Sequence, residues 1–163
     1  MNSSIRNATV EDISEIQRVA DGGWRAAYGD FLTETAIETI LNDWYASERL
    51  ETSITTENAI YLVAGDDDIT GYASAAPTED GEAQLYAIYV DPDRWNTGIG
   101  TGLLDTITEQ LTESGIERLR VEVLADNTVG TSFYEARGFE RTAEHDRTVG
   151  EQSLPEYVYY RDL

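Results

Sequence analysis

A glycine-rich segment in the second half of the chain is well suited to bind an anion. It reads Trp95-Asn96-Thr97-Gly98-Ile99-Gly100-Thr101-Gly102. Small residues let a ligand approach the backbone closely. A helix that begins here also offers unpaired N–H groups and the positive end of its dipole. The segment therefore predicts a phosphate-binding turn.

The glycine spacing differs from that of the two common nucleotide-binding loops. Gly98, Gly100 and Gly102 give G-x-G-x-G. The dinucleotide fingerprint is G-x-G-x-x-G, and a P-loop ends in Gly-Lys-Ser/Thr. On this segment alone, a strand-to-helix turn that binds nothing stays the alternative.

The flanking residues predict the elements that position this turn. Ala83–Val90 is rich in aromatic and β-branched residues, which favour a strand. Asp91-Pro92 ends that strand, because proline donates no ladder hydrogen bond. The helix is predicted to start near Gly98. Its apolar residues recur at helical spacing on one face: Ile99, Leu103, Leu104, Ile107 and Leu111.

A second strand-to-helix segment follows. Arg118–Leu124 alternates between apolar and charged residues, as a strand does, and a short helix is predicted over Asn127–Ala136. This helix carries Phe133-Tyr134, and Gly138 is well placed as its left-handed terminator before Phe139.

The two segments resemble the GNAT superfamily of N-acetyltransferases. The family's signature is Gln/Arg-x-x-Gly-x-Gly/Ala after a strand that ends in a Val-x-Pro-like turn, and its second motif is Phe-Tyr followed by Gly-Phe. Here Val90-Asp91-Pro92 ends the strand, and Trp95-x-x-Gly98-x-Gly100 forms the loop. Trp95 departs from the commoner glutamine or arginine. The resemblance covers nearly the whole chain.

The resemblance implies that acetyl-CoA binds as co-substrate. Backbone N–H groups of the loop would face the pyrophosphate, and the pantetheine arm would pair with the central strand, where a bulge could aim an N–H at the thioester oxygen. Asn127 would contact the cofactor, cap its helix, or do both. The cofactor-binding residues expected are Ile88, Tyr89, Val90, Trp95, Asn96, Thr97, Gly98, Ile99, Gly100, Thr101, Gly102, Asn127 and Tyr134.

The resemblance also assigns catalytic roles. Tyr134 matches the family's proton donor, since a phenol with a pKa of about 10 can protonate a thiolate whose thiol has a pKa of about 8.5. Many relatives place a glutamate base where this chain has Gln84, which cannot accept the proton. The identity of the base is therefore left open. The candidates are Tyr86, which lies on the same predicted face as Gln84, the carboxylates of Glu122 and Glu82, and a chain of waters.

The expected acceptor-binding residues are Trp24, Tyr28 and Gln84. The first two resemble a Trp-x-x-x-Tyr that often lines the family's acceptor pocket, although both could equally be core aromatics. His145 is the only histidine and lies in a polar run, so we expect it to be exposed and outside the chemistry. No cluster of metal-ligand residues is evident, so no metal is expected.

The charge balance is strongly acidic. The 163 residues include 32 Asp and Glu against 11 Lys and Arg, a formal net charge of −21, and every one of the cations is arginine. Such a surface could attract cationic substrates, but with no lysine it is more typical of a halophile's salty cytoplasm. It argues against nucleic acid as a partner, because phosphate contacts need a basic face.

The absence of cysteine excludes disulfides and thiolate metal sites. No apolar run is long enough to span a membrane, and the first residues do not resemble a signal peptide. We therefore expect a cytoplasmic protein with no membrane partner.

The whole chain, 1–163, is expected to form a single GNAT-like domain. The predicted fold is α/β, a mixed central sheet of about seven strands flanked by about four helices. Its first strand is Ser4–Ala8, and Asp21-Gly22-Gly23 is expected to interrupt the first helix.

The predicted function is transfer of an acetyl group from acetyl-CoA to a primary amine of a small molecule or a protein N-terminus, by direct attack. The alternative is a non-catalytic acyl-CoA-binding regulatory module. A homodimer is an open expectation, because dimers are frequent in the family.

Overall fold

The computed structural model describes residues 4–149 and 151–163. Its strands are β1 Ile5–Asn7, β2 Ile60–Ala64, β3 Gly71–Glu79, β4 Glu82–Val90, β5 Arg118–Leu124, β6 Glu140–Val149 and β7 Gln152–Asp162. Its α-helices are α1 Ile13–Tyr28, α2 Glu34–Trp44, α3 Ser47–Thr55, α4 Ile99–Glu113 and α5 Thr128–Ala136. Short 3-10 turns lie at Val10–Asp12 and Pro92–Arg94.

The strands form a mixed sheet in the order β1-β2-β3-β4-β5-β7-β6. Neighbours are antiparallel except β4 and β5, which run parallel. The predicted α/β class and seven strands are confirmed. The described residues contain five α-helices rather than about four; the additional helix is α3, whose start has no side-chain cap and which buries only Leu50.

The first helix is not interrupted at Asp21-Gly22-Gly23, as the sequence analysis had expected. α1 continues through these residues to Tyr28. A Cβ on Gly23 would lie 3.2 Å from the ring of Tyr89, and one on Gly22 would lie 3.6 Å from Pro92. The two glycines therefore let α1 pack closely against β4 and the turn after it, and packing outweighs their low helix propensity.

Each face of the sheet covers an apolar core. One core contains the predicted apolar face of α4, and all five of its residues are buried. The other lies beneath α1, α2 and α3 and is rich in aromatic residues, among them Trp24, Tyr28, Tyr45, Tyr61 and Tyr72. Among the described residues, no helix has the length and apolar character needed to cross a membrane.

The central strand changes face at a β-bulge. Ser74 of β3 pairs with Ala87, but its neighbour Ala75 pairs with Leu85, which leaves Tyr86 as the extra residue. Leu85 packs in the core beside α4, and after the bulge it is Ile88 that packs there. Regular alternation would have put these two residues on opposite faces.

The bulge also marks the point where the sheet forks. β4 and β5 pair from Glu82–Arg118 to Leu85–Val121, and no further pair joins these two strands within the described residues. The second half of β4 is therefore hydrogen-bonded to β3 but not to β5. The fork leaves an open cleft between the strands at the carboxyl end of their pairing.

A buried carboxylate fixes the entry into the first helix. Asp12 accepts two hydrogen bonds from Arg6, at 2.8 and 2.9 Å, and one from the backbone N–H of Thr9 at 2.8 Å. The Arg6 hydrogen bonds are the largest cause that lowers the pKa of Asp12, which burial acts to raise. Thr9 is the N-cap of the turn that leads into α1, and Asp12 stands at the third position of its capping box.

Asp12→Ala is expected to lower the free energy of unfolding by about 1–2 kcal/mol near neutral pH, because it removes a cap and an ion pair. The pKa of Asp12 is lowered in the folded state, so its stabilisation is present above its ordinary value of 3.8 and is lost as the pH falls through the folded value. Urea unfolding of wild type and variant should thus converge in acid. A constant difference across pH would contradict an ionised Asp12.

Candidate functional site

The fork between β4 and β5 holds a cleft of about 810 Å³. Its walls are the second half of β4, the end of β5, the first turn of α4 and the helix α5. Most of the predicted site residues meet here. Those that line the cleft are Tyr28, Tyr86, Ile88, Tyr89, Val90, Trp95, Asn96, Gly98, Ile99, Gly100, Thr101, Glu122, Asn127 and Tyr134.

Four predicted site residues lie outside the lining of this cleft. The Thr97 hydroxyl donates to the carbonyl of Arg94 within the loop. Gly102 packs instead toward β1, where a Cβ would lie 3.1 Å from Ile5. The other two residues are Trp24 and Gln84, which were expected to bind the acceptor.

Both of these residues are held by internal hydrogen bonds. Trp24 is buried in the aromatic core, where its Nε1 donates to the Tyr45 hydroxyl at 3.3 Å. Gln84 accepts a hydrogen bond from Arg120 at 2.8 Å. Their geometry supports a packing role for Trp24 and a contact to the β5 side chains for Gln84.

The start of α4 presents free backbone donors to the cleft. The first intrahelical bond at this end is donated by the Gly102 N–H to the carbonyl of Gly98 at 3.0 Å. The N–H groups of Ile99, Gly100 and Thr101 precede it, as the first donors of any helix do. In the described residues no side chain caps this helix. These donors and the helix dipole make the turn suitable for a phosphate.

The glycines of the loop serve two different needs. Gly98 has a φ of +90°, a left-handed conformation that glycine adopts without strain. Gly100 allows α4 to approach α5, because a Cβ there would lie 3.0 Å from the ring of Phe133. Both requirements explain the G-x-G spacing, and both keep the backbone of the turn accessible.

Arg137 is a cleft residue that the sequence analysis missed. Its Nη2 and Nε donate to the Thr101 hydroxyl at 2.6 and 3.0 Å, and its guanidinium carbon lies 3.8 Å above the ring of Phe133. Its position directly before Gly138-Phe139 was the sequence signal that could have found it. Arg137 therefore places a cation beside the free donors of α4 in a strongly acidic chain, and Arg94 also lines the cleft.

Trp95 fixes the loop to the end of the central strand. Its Nε1 donates to the carbonyl of Val90 at 2.9 Å, while its side chain lines the cleft. Trp95, at the position of the glutamine or arginine of the family signature, therefore anchors the loop to the strand.

Asn127 caps α5 and also joins a buried chain of hydroxyl groups. Its Oδ1 accepts from the Gly130 N–H at 2.9 Å, and its Nδ2 donates to the Tyr28 hydroxyl at 3.1 Å. The Tyr28 hydroxyl lies 3.2 Å from that of Tyr89. This chain connects α1, β4 and the start of α5 across the cleft. The bond from the Gly130 N–H confirms that Asn127 caps α5. The chain of hydrogen bonds through Tyr28 and Tyr89 holds the walls of the site in place.

Tyr134 projects an unpartnered hydroxyl toward the cleft. The residue is only 7% exposed, and within the described residues its hydroxyl has no hydrogen-bond partner. Because no polar side-chain atom of these residues is both fully buried and unpaired, this hydroxyl must reach the open volume of the cleft. Burial raises the pKa of Tyr134 above its ordinary value, so the phenol keeps its proton at neutral pH.

Glu122 stands at the fork in a network of charged residues. Its carboxylate accepts from Arg120, and His145 lies 3.4 Å away. Burial acts to raise the pKa of Glu122, but the close contact with Glu156 and the hydrogen bond from Arg120 outweigh it, and the net pKa is lowered. Glu122 is therefore ionised at neutral pH and accessible from the cleft.

His145 is more involved than its polar surroundings suggested. It is 44% exposed, but its Nε2 lies 2.8 Å from the buried carboxylate of Glu156. Sequence reasoning missed Glu156, because a carboxylate between Pro155 and Tyr157 on a strand gives no local signal of its burial.

One group of the described residues brings three metal-ligand side chains together, Glu122, His145 and Glu156, with ligand atoms within 4.8 Å of one another. Arg120 and Arg147 already pair with its two carboxylates. These two cations offset the negative charge that would attract a metal ion. The absence of a metal stays a prediction.

A family model described as the acetyltransferase (GNAT) family matches residues 17–139. The chain belongs to the GNAT family. The forked strands β4 and β5, the glycine loop and α5 lie within the matched region. The sequence-based resemblance is thereby confirmed, and so is the prediction of an acetyl-CoA-dependent N-acetyltransferase.

Two relatives show how far the similarity extends. The chain is 28% identical to the spermidine N(1)-acetyltransferase of Thermoplasma acidophilum over 144 residues, which cover 85% of this chain and 89% of that protein. Its structure resembles the PaiA N-acetyltransferase of the same organism, solved in complex with coenzyme A, with a TM-score of 0.84, 27% identity and coverage of 96% and 98% of the two chains.

A third relative matches a shorter region. The [ribosomal protein bS18]-alanine N-acetyltransferase of Escherichia coli is 40% identical over 58 residues, or 36% of this chain and 39% of that protein. The solved structure of that enzyme has a TM-score of 0.71 at 18% identity, which shows the common fold alone.

The residues of this GNAT cleft fit acetyl-CoA. The free N–H groups at Ile99, Gly100 and Thr101 with the nearby Arg137 suit its pyrophosphate. The half of β4 that β5 leaves unpaired can accept an extended amide-containing arm as an added strand. When bound, acetyl-CoA supplies an acetyl group activated as a thioester.

Proposed function

We propose that this GNAT enzyme acetylates a primary amine of a small cationic molecule of the polyamine class by direct attack. The observation that carries this choice is the match to a spermidine acetyltransferase over nearly the full length of both chains. An ionised carboxylate, Glu122, faces the cleft and suits a cationic acceptor. A peptide N-terminus is the second candidate, supported by the shorter match to the bS18-alanine enzyme.

Glu122 acts as the general base in this proposal. An alkyl ammonium has a pKa of about 10.4, so the acceptor arrives charged and must lose a proton before it can attack. Gln84 cannot take that proton, and Tyr86 is 61% exposed with no carboxylate function. Glu122 is the ionised carboxylate that lines the cleft, and Arg120 holds it in place.

The bulge at Tyr86 provides the electrophilic side of the site. A bulge leaves backbone groups outside the regular ladder, and an N–H freed in this way can stabilise charge that develops on a carbonyl oxygen. We assign Tyr86 this role through its backbone rather than through its phenol. Tyr134, with its free hydroxyl at the cleft, donates the proton to the departing thiolate.

The test is a panel of acceptors assayed by release of free thiol from acetyl-CoA. Spermidine, spermine and an alanine-terminated peptide should be compared in molar potassium chloride, where the Debye length is about 3 Å and the repulsion within an acidic chain is screened. We expect the polyamines to exceed the peptide in kcat/KM by at least about tenfold. Preference for the peptide would favour the second candidate, and no turnover with any amine would overturn the class.

We further propose that residues 1–163 form a single domain, that the protein is cytoplasmic and of halophilic origin, that it forms a homodimer, and that it has no nucleic-acid, membrane or metal partner. The net charge of −21 supports the salt adaptation and the exclusion of nucleic acid.

A further inference from the structure

A row of ionisable side chains crosses the sheet from the cleft to its outer edge. Glu122 on β5 borders the cleft, Glu156 on β7 comes next, and His145 on the edge strand β6 comes last. The His145 Nε2 lies 2.8 Å from Glu156 and 3.4 Å from Glu122. The three side chains thus form one connected group on a single face of the sheet.

Exposure changes along this row in a way that ordinary surface ion pairs do not show. The side chain of Glu122 is 24% exposed, that of Glu156 is 4% exposed, and that of His145 is 44% exposed. The buried carboxylate of Glu156 therefore connects Glu122, which is open to the cleft, with His145, which is open to solvent. Burying a second carboxylate beside the first is costly unless the two share a proton.

We propose that Glu156 and His145 are positioning residues for Glu122, and that they carry its proton to solvent at the outer edge of the sheet. The inference rests on the proposed function, with Glu122 as base. It extends that function, because it explains how the base is reset while the acceptor and acetyl-CoA fill the cleft and exclude water.

The proton transfers balance without any further reactant. An N–H bond of the acceptor ammonium breaks as an O–H bond forms on Glu122. The carboxyl pair then holds one proton in excess, which passes to the Nε2 of His145. The imidazolium releases a proton to solvent water, and Glu122 is again a carboxylate. One proton moves from the amine to solvent, and no atom is oxidised or reduced.

The charged neighbours of this row fit the proposal. Arg120 pairs with Glu122, and Arg147 pairs with Glu156 at 3.2 Å, so each carboxylate has its own fixed cation. Burial and the contact with Glu122 raise the pKa of Glu156 while that of Glu122 is lowered, so a proton that reaches this pair favours Glu156. Among the described residues, the phenol of Tyr28 interacts with Glu156, and that of Tyr160 lies beside Arg120.

The decisive variant is His145→Ala. We expect kcat to fall about tenfold, with both KM values within about twofold of wild type, since neither substrate touches the imidazole. Imidazole added to the buffer should restore most of this loss and leave the wild type unchanged, because the site is open to solvent. Glu144→Gln, on the exposed edge of the same strand, is the matched control and should behave as wild type.

A second measurement asks whether His145 acts through Glu122. In a Glu122→Gln background, His145→Ala should cause no further loss, whereas independent roles would give multiplied effects. Thermal unfolding of each variant separates these effects from misfolding.

Four outcomes would overturn the inference. They are wild-type kcat in His145→Ala, a loss that imidazole does not relieve, multiplied effects in the double variant, and activity that EDTA removes and Zn²⁺ restores. Full activity in Glu122→Gln would instead show that Glu122 is not the base. A failure of the proposed function is therefore distinguishable from a failure of the proton transfer through Glu156 and His145.

Discussion

Tyr134→Phe is expected to lower kcat by about 10² to 10⁴-fold, the range of a lost general acid, while the affinity for acetyl-CoA changes by less than about twofold. The substitution removes only the hydroxyl group of Tyr134. This hydroxyl has no hydrogen-bond partner within the described residues and reaches the cleft, so its removal disturbs no internal contact. Its raised pKa keeps it protonated, as a donor must be.

The measurement combines steady-state kinetics with calorimetric titration of acetyl-CoA in molar potassium chloride. Tyr61→Phe is the matched control: Tyr61 is also buried, and its hydroxyl also lacks a hydrogen-bond partner among the described residues, but it lies away from the cleft. It should retain wild-type kcat. Unchanged kcat in Tyr134→Phe would place the proton donor elsewhere, and weakened acetyl-CoA binding with unchanged kcat would make Tyr134 a binding residue only.

The same variant distinguishes the enzyme from a regulatory module that binds acyl-CoA without turnover. A module would bind acetyl-CoA equally well with either side chain and show no acetyl transfer in the wild type. The enzyme should bind equally well and lose turnover only in the variant.

The parts of the site that depend on local backbone chemistry could be predicted from the sequence. The turn at Gly98 and Gly100 needs a left-handed residue and a close helix approach, and glycine is the residue that permits both. The apolar face of α4 follows from helical periodicity, which is a short-range pattern. The Asn127 cap likewise involves residues three apart along the chain.

The parts that depend on tertiary contacts could not be predicted. Alternation along β4 fails at Tyr86, because a bulge is set by the register with β3 rather than by the strand's own residues. Gly22 and Gly23 read as helix breakers until Pro92 is seen beside the first and the ring of Tyr89 beside the second. Glu156 becomes significant only when β5, β6 and β7 bring it against Glu122 and His145.

Glu122→Gln is expected to lower kcat/KM for the amine by about 10² to 10³-fold at pH 7, because the amide keeps the shape of the side chain but cannot accept a proton. The pKa of Glu122 is lowered from its ordinary value of 4.5, so the wild-type base is already ionised throughout the range from pH 6 upward. Wild-type activity should therefore stay nearly level over this range as long as the acceptor amine arrives charged, with no rise from ionisation of Glu122.

Glu122→Gln should therefore differ from wild type in its pH dependence. As the pH approaches the pKa of the amine, about 10.4, more of the acceptor is already neutral in solution and needs no base. The gap between Glu122→Gln and wild type should therefore narrow with rising pH. Glu82→Gln is the matched control, since Glu82 pairs with Arg118 at 3.7 Å and lies outside the cleft lining.

The split between KM and kcat separates two roles for which the gap would narrow alike. A base is bypassed when the amine arrives neutral, whereas a carboxylate that only attracts the cationic acceptor loses its partner at the same high pH. In the second case the KM for the amine would rise strongly in the variant at pH 7 while kcat stayed near wild type. Loss of activity in Glu82→Gln together with full activity in Glu122→Gln would instead move the base to the start of β4.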